Sequence, residues 1–243
     1  MKKVFLTGAS RGIGYSIGIG LLKEGFQVVG THNRSQIPED LKDFNSFSSI
    51  RLDLSDVTVV NEKLKERLTH SQPDVLINNA GIFEGSEMTD DDSDWLEVWD
   101  RTMNINLKIS SLLCKWYING CLNSGKQGII INIASRAAYR GDLQEYSAYA
   151  ASKGGMAAFT KSIARGFGRS GIVAYTVAPG FIRTDMAEEA IKRWGIEGLT
   201  RNSSFDEMTT PEEVANLVVW LARGEALHMS GSTFHINGGS YMT

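Results

Sequence analysis

Short, nearly continuous apolar runs punctuate the chain, and between them apolar positions recur at helical spacing. The runs predict strands at Lys3–Thr7, Gln27–Thr31, Ser49–Asp53, Val75–Asn78, Gly128–Ala134, Ile172–Ala178 and Thr233–Asn237. A run apolar at successive positions has no polar face to turn toward water. It therefore belongs to a strand covered on both sides, as in a parallel sheet. The intervening patterns predict helices over Gly12–Glu24, Val57–Thr69, Trp95–Leu122, Tyr146–Arg169, Thr184–Trp194 and Pro211–Ala222. The last is announced by Thr210 as N-cap, Pro211 in the first helical position and Glu212-Glu213 in the first turn. Strands alternating with helices predict an α/β fold, an open doubly wound parallel sheet of about seven strands with helices on both faces. No linker, low-complexity tract or internal repeat divides the 243 residues, so one domain over 1–243 is expected.

Composition narrows the class. The chain is 42% hydrophobic and 22% charged, an ordinary globular balance. Lys+Arg is 25 against Asp+Glu 28, a net charge of -3, which offers no polybasic footprint for nucleic acid or a membrane surface. The longest apolar stretches, such as Leu217 to Ala222, fall far short of the ~20 residues of a membrane span. The apolar run after Met1-Lys2-Lys3 stops at Thr7-Gly8, below the ~7–15 residues of a signal peptide. Cys114 and Cys121 fall in one predicted helix with their backbones ~10.5 Å apart along its axis, beyond disulfide reach. Reduced thiols and a cytoplasmic location are expected. The four histidines are dispersed, so no metal site is expected.

Ligands of doubly wound sheets bind beyond the carboxyl ends of the strands. Polar and small residues follow the predicted strands at that rim: a glycine turn, Asp53-Leu54, Asn78-Asn79-Ala80-Gly81, Ser135 and Pro179-Gly180. The turn, Thr7-Gly8-Ala9-Ser10-Arg11-Gly12-Ile13-Gly14, has the spacing G-x-x-x-G-x-G. Glycines there let backbone and helix N-terminus approach a pyrophosphate, although three glycines also serve a merely tight connection. At the end of the second strand, Thr31-His32-Asn33-Arg34-Ser35 has no carboxylate for a ribose 2′-hydroxyl. Arg34 with Arg11 suits a 2′-phosphate, which favours NADP over NAD; the plain alternative is a solvated arginine.

Tyr149-Ala150-Ala151-Ser152-Lys153 sets a phenol and an ammonium on one helix face. A free tyrosine is ~0.1% ionised at neutral pH. An ammonium ~5 Å away, at an effective dielectric near 20, stabilises phenolate by about 3 kcal/mol, roughly two pK units. That brings the phenol toward the range useful for acid–base work. Alone, a Tyr-x-x-x-Lys pair arises easily by chance. Ser135, fourteen positions earlier at a strand end, is placed either to hold a carbonyl oxygen or to cap a turn.

Taken in order, the glycine turn, Asn78-Asn79-Ala80-Gly81, Ser135, Tyr149-x-x-x-Lys153 and Pro179-Gly180 resemble the short-chain dehydrogenase/reductase family over essentially the whole chain. Within it, Pro179-Gly180-Phe181-Ile182-Arg183-Thr184-Asp185-Met186 and the ending His235 to Met242 are similar to beta-ketoacyl-acyl carrier protein reductases. The resemblance implies a Rossmann-type fold. It makes Tyr149 the acid–base residue, Ser135 the carbonyl orienter, and Lys153 a phenolate stabiliser and ribose ligand. Asn106, with Trp99 seven positions before it, matches the asparagine of the family's proton relay. Gly8, Ser10, Arg11, Gly12, Ile13 and Gly14 would hold the pyrophosphate side; Asn33, Arg34, Asp53 and Leu54 the adenosine end; Asn79, Ala80 and Gly81 the brace beside the ribose. Pro179, Gly180, Ile182 and Thr184 would meet the nicotinamide side, with roughly 181–209 as a lid. A homotetramer is implied, built on the helices bearing Trp95, Trp99, Trp116 and Phe159.

Three departures bear on substrate. Ile129 follows Gly128, and Ser170 stands beside Arg169, where carrier-protein reductases carry basic residues. The stretch Glu84 to Asp94 is strongly acidic and would repel an acidic carrier. The segment Phe205-Asp206-Glu207-Met208-Thr209 lacks the Pro and Arg common in the family before the final helix. The leading expectation is NADPH-dependent reduction of a 3-oxoacyl thioester presented by acyl carrier protein. The alternatives are a free sugar, polyol or polyketide-like ketone, or a non-catalytic dinucleotide sensor.

Overall fold

The computed structural model describes residues 1–242. In chain order the main elements are β1 (Lys3–Leu6), α1 (Gly12–Lys23), β2 (Gln27–His32), α2 (Glu39–Lys42), β3 (Phe47–Arg51), α3 (Val57–Thr69), β4 (Val75–Asn78) and α4 (Asp92–Met103). A π-helical segment, Asn104–Ile109, leads into α5 (Ser110–Ser124). There follow β5 (Gly128–Ile133), α6 (Ala137–Arg140), α7 (Ser147–Phe167), β6 (Ile172–Pro179), α8 (Glu188–Thr200), α9 (Pro211–Arg223) and β7 (Thr233–Ile236). The seven strands form one sheet in the order β3-β2-β1-β4-β5-β6-β7, every pairing parallel. Strand order reverses between β1 and β4, the switch point at which a crevice opens.

The alternation within each strand divides the core. In β1, Val4 and Leu6 face a cluster with Ile17 and Leu21 of α1 and Val214, Val218 and Leu221 of α9. Phe5 faces the opposite side, against Leu64 and Leu68 of α3, Leu113 and Tyr117 of α5, and Ile163 of α7. Thr210 caps α9 and Pro211 opens it, as the sequence indicated, and the cap is reciprocal, a capping box with Glu213. Cys114 and Cys121 are free and buried in α5. Among the described residues no helix is long and apolar enough to cross a membrane. Nor does any cluster of three or more His, Cys, Asp or Glu there suit a metal ion.

Several boundaries differ from expectation. The helix predicted over Trp95–Leu122 is interrupted by the π segment, because Asn106 turns its amide into the protein rather than continuing a regular face. β3 starts and ends two residues early, and its exposed residues show that an edge strand is not covered on both sides. The helix predicted at Thr184–Trp194 runs instead over Glu188–Thr200, broken at Gly195, where φ is 67°. Trp116 belongs to the core rather than to an aromatic surface, whereas Trp95 and Trp99 stack on each other at 4.9 Å on α4.

Candidate active site

The glycine turn is fixed from below by its neighbours. Asn79 donates from Nδ2 to the carbonyls of Thr7 (3.0 Å) and Gly8 (3.1 Å). Thr7 Oγ1 accepts from the backbone of Asn79 and Ala80, each at 3.0 Å. Gly8 (φ 71°) and Gly12 (φ 54°) occupy the left-handed region that suits glycine. Gly14 is required by packing, since a Cβ there would lie 1.9 Å from the Gly8 carbonyl oxygen. Arg11 precedes α1 in extended conformation and supplies no side-chain cap, which leaves the first-turn N–H groups of α1 open.

A cleft of about 620 Å³ runs along the carboxyl ends of the strands. From the β3 edge to β6 it is lined by Asp53 and Leu54, then Asn33 and Arg34, then Gly8, Ser10, Arg11, Gly12, Ile13 and Gly14. Asn79, Ala80 and Gly81 follow, then Ser135, Tyr149 and Lys153, then Pro179, Gly180, Ile182 and Thr184. The sequence-predicted residues are thus brought together, with one exception. Asn106 lies behind the wall, fully buried. Its Oδ1 accepts from Ile82 N (2.9 Å), and its Nδ2 donates to Ile82 O (3.0 Å) and Ser152 Oγ (3.1 Å). Ser152 Oγ in turn donates to the Tyr149 carbonyl at 2.7 Å. A Cβ on Gly81 would sit 3.1 Å from Asn106 Oδ1 and 3.4 Å from Lys153 Nζ, so amide and ammonium converge beneath that glycine.

Tyr149 and Lys153 share one face of α7, and Lys153 Nζ lies 5.8 Å from the Tyr149 ring centroid. The lowering of the phenol expected from this pairing is not what the fold produces. Burial pushes Tyr149 up to about 12, opposed by the Ser135 hydroxyl beside it and reinforced by Asp142. Burial also brings Lys153 down to about 8. The ammonium donates to the Ile133 carbonyl (2.8 Å) and is only 3% exposed, so desolvation outweighs attraction across the ring. Ser135 caps the turn, its Oγ accepting from Ala137 N (3.1 Å), while its hydroxyl faces the phenol.

Beside Tyr149, Phe83 packs edge-on to its ring (4.8 Å) and stacks on Tyr146 (4.0 Å). Here the cleft also carries groups to which the sequence assigns no role in the site. Glu84 pairs with Arg101 (2.7 Å), Arg140 with Asp142 (3.5 Å), and Arg136 lies against Phe181. Arg136 adjoins Ser135, and Phe181 lies within the motif that opens at Pro179, which was the available signal. The Glu84–Arg101 pair joins a loop to α4 and had none. The segment 181–209 is pinned at its base, where Ile182 bridges Thr209 and Arg183 N donates to Thr209 O (3.1 Å).

The cleft fits a dinucleotide phosphate cofactor on three observations. The Gly14 cradle leaves no room for a side chain, the N-terminus of α1 is uncapped, and Arg11 and Arg34 line the cleft exposed and without an ion pair among the described residues. Asp53, at the β3 end, has its carboxylate held below the usual range chiefly by the Ser55 backbone and hydroxyl, with Arg34 contributing.

A protein-family model described as enoyl-(acyl carrier protein) reductase matches residues 8–241. The 3-oxoacyl-acyl-carrier-protein reductase of Buchnera aphidicola subsp. Acyrthosiphon pisum is 35% identical over 99% of this chain and 98% of its own. Among solved structures, a 4-hydroxyisoleucine dehydrogenase complexed with NADH is 26% identical, with a TM-score of 0.89 and 98% of each chain covered. A protein described as a putative 2-deoxy-d-gluconate 3-dehydrogenase from Agrobacterium tumefaciens, with bound NADP, is 27% identical, with a TM-score of 0.87, covering 98% of this chain and 96% of its own. Full-length similarity and a shared parallel sheet lead to one assignment: the chain belongs to the short-chain dehydrogenase/reductase family of oxidoreductases.

Proposed function

We propose that the protein reduces a ketone to a secondary alcohol with NADPH. The observation that carries this reading is the convergence of Ser135, Tyr149 and Lys153 with the glycine turn in one cleft. NADPH bound along the turn supplies the hydride. Gly8 to Gly14 and the α1 N-terminus hold its pyrophosphate, and Arg11 and Arg34 its 2′-phosphate. Ser135 donates a hydrogen bond to the substrate carbonyl oxygen, and Tyr149 gives that oxygen its proton. With its pKa pushed up to about 12, the phenol stays protonated through the neutral range, which is the form that reduction consumes. Lys153 holds the ribose, and Asn106 fixes the wall behind it through Ile82 and Ser152.

The names of the relatives point to a 3-oxoacyl thioester on acyl carrier protein. The walls near Tyr149 favour a free polar ketone instead. Two ion pairs and Arg136 line that end, and the acidic loop from Glu84 lies against the cleft, with Glu87 accepting from Gln144. The two solved neighbours, described as acting on 4-hydroxyisoleucine and 2-deoxy-d-gluconate, are consistent with such substrates. NADPH oxidation should be compared for carrier-bound 3-oxoacyl, carrier-free 3-oxoacyl and enoyl thioesters and for small polar ketones. Turnover of the polar ketones, with no gain from the carrier, supports the reading. Turnover of enoyl substrates alone removes the ketone from it. NADPH binding with no oxidation of any substrate leaves the sensor reading.

We further place the protein in the cytoplasm, on its reduced, buried cysteines, and expect a homotetramer in which the Trp95–Trp99 face of α4 meets a second copy. A light-scattering mass of 26.7 kDa at micromolar concentration refutes the assembly.

A further inference from the structure

One buried guanidinium in the cleft, that of Arg136, has no counter-charge among the described residues. Arg136 follows Ser135 and is 7% exposed, yet no carboxylate pairs with it among the described residues. Its backbone N–H is used by the Pro179 carbonyl (2.9 Å), its Nη1 donates to Ser240 Oγ (2.5 Å), and its guanidinium lies 4.4 Å from the Phe181 ring centroid. A guanidinium has five N–H donors, and the one side-chain hydrogen bond of Arg136 to the described residues is that to Ser240. The nearest charges do not compensate it. Arg140 opposes it, and Asp142, which favours it, is engaged with Arg140 at 3.5 Å. Burial and Arg140 bring Arg136 down only to about 10, so it carries its charge at neutral pH. A buried charge is ordinarily paired with an opposite one. An anion that enters the cleft, which Arg136 lines together with Ser135 and Tyr149, would supply the counter-charge that the described residues do not.

We propose that Arg136 anchors a carboxylate of the substrate, so that the ketone reduced at Ser135 and Tyr149 is an oxo acid rather than a neutral acyl chain. This rests on the ketone-reductase reading and names its substrate class. Arg136 acts by binding and orienting the acid; proton donation stays with Tyr149. A purely structural role would have Arg136 merely tie the Ser135 loop to Phe181 and the C-terminal segment through Ser240.

The test uses the NADP⁺-loaded full-length protein and a panel of 2-, 3-, 4- and 5-oxo carboxylates, each beside its methyl ester, with binding measured by calorimetry. At least one acid should bind at least tenfold more tightly than its ester. Arg136→Gln should erase that difference, while NADP⁺ affinity stays within about twofold. Arg136→Lys should recover part of it, and Ser240→Ala, which removes the tether but leaves the guanidinium, should keep it. Acids and esters binding alike throughout the panel would overturn the proposal. So would loss of discrimination in Ser240→Ala equal to that in Arg136→Gln, which marks a tether. NADPH oxidation by the same panel reads the parent proposal separately. Acid preference without turnover keeps the anion site and sinks the reductase. Turnover without acid preference does the reverse.

Discussion

Tyr149 and Lys153 show how burial decides the state of a reactive pair. In water the ammonium would draw the phenol down; inside the protein each group moves toward its neutral form, because desolvation penalises both charges. Tyr149→Phe should reduce kcat by at least about 10²-fold with NADPH affinity little changed, as steady-state kinetics and fluorescence titration will show. A variant that keeps near-normal turnover would remove Tyr149 as the proton donor. Lys153 also predicts a pH dependence of stability. Its folded pKa falls from 10.5 to about 8, so within that window the unfolded chain holds a proton that the folded one has released. Unfolding then takes up a proton, and rising pH stabilises the fold. Between pH 8 and 10.5 the wild type should therefore gain stability relative to Lys153→Met, measured as denaturant midpoints. A gap that does not move with pH would mean that the ammonium is not desolvated.

Among the elements, α1 and α7 carry glycines with opposite consequences. Gly14 in α1 faces the Gly8 carbonyl oxygen at 1.9 Å from an added Cβ, and backbone cannot swing aside as a side chain can. Gly14→Ala should cost about 1–3 kcal/mol or more, with loss of NADPH binding, by denaturant unfolding and titration. Gly166 in α7 meets nothing within 4 Å, so Gly166→Ala should stabilise by about 0.5–1 kcal/mol through helix propensity alone. The π segment between α4 and α5 is the matching case for position. Its irregular turn presents the Asn106 amide to Ile82 and Ser152, and through Ser152 the segment is tied to the helix that carries Tyr149.

For the whole molecule, the cleft spans the sheet from β3 to β6, so a cofactor lying along it would contact the ends of several strands at once. At 100 times its Kd, NADPH should add about 2.7 kcal/mol of stability, seen as a raised Tm. Arg34→Ala should weaken NADPH by at least about tenfold and NADH far less, since only the former carries the 2′-phosphate. Equal losses for the two would place Arg34 outside cofactor discrimination.

Much of this architecture follows from the linear chain. The alternation of apolar runs with helical periodicity, the N-cap at Thr210, the glycine turn and the four-residue step from Tyr149 to Lys153 are local patterns, set by neighbours a few positions apart. What only the tertiary structure decided depends on groups far apart in sequence. Lys153 reaches the Ile133 carbonyl, Glu84 meets Arg101 across a loop and a helix, and Arg136 is buried against Phe181 and Ser240. Desolvation and unpaired charge belong to a three-dimensional surrounding. Spacing can set a phenol beside an ammonium, but only the folded chain determines how much water either retains.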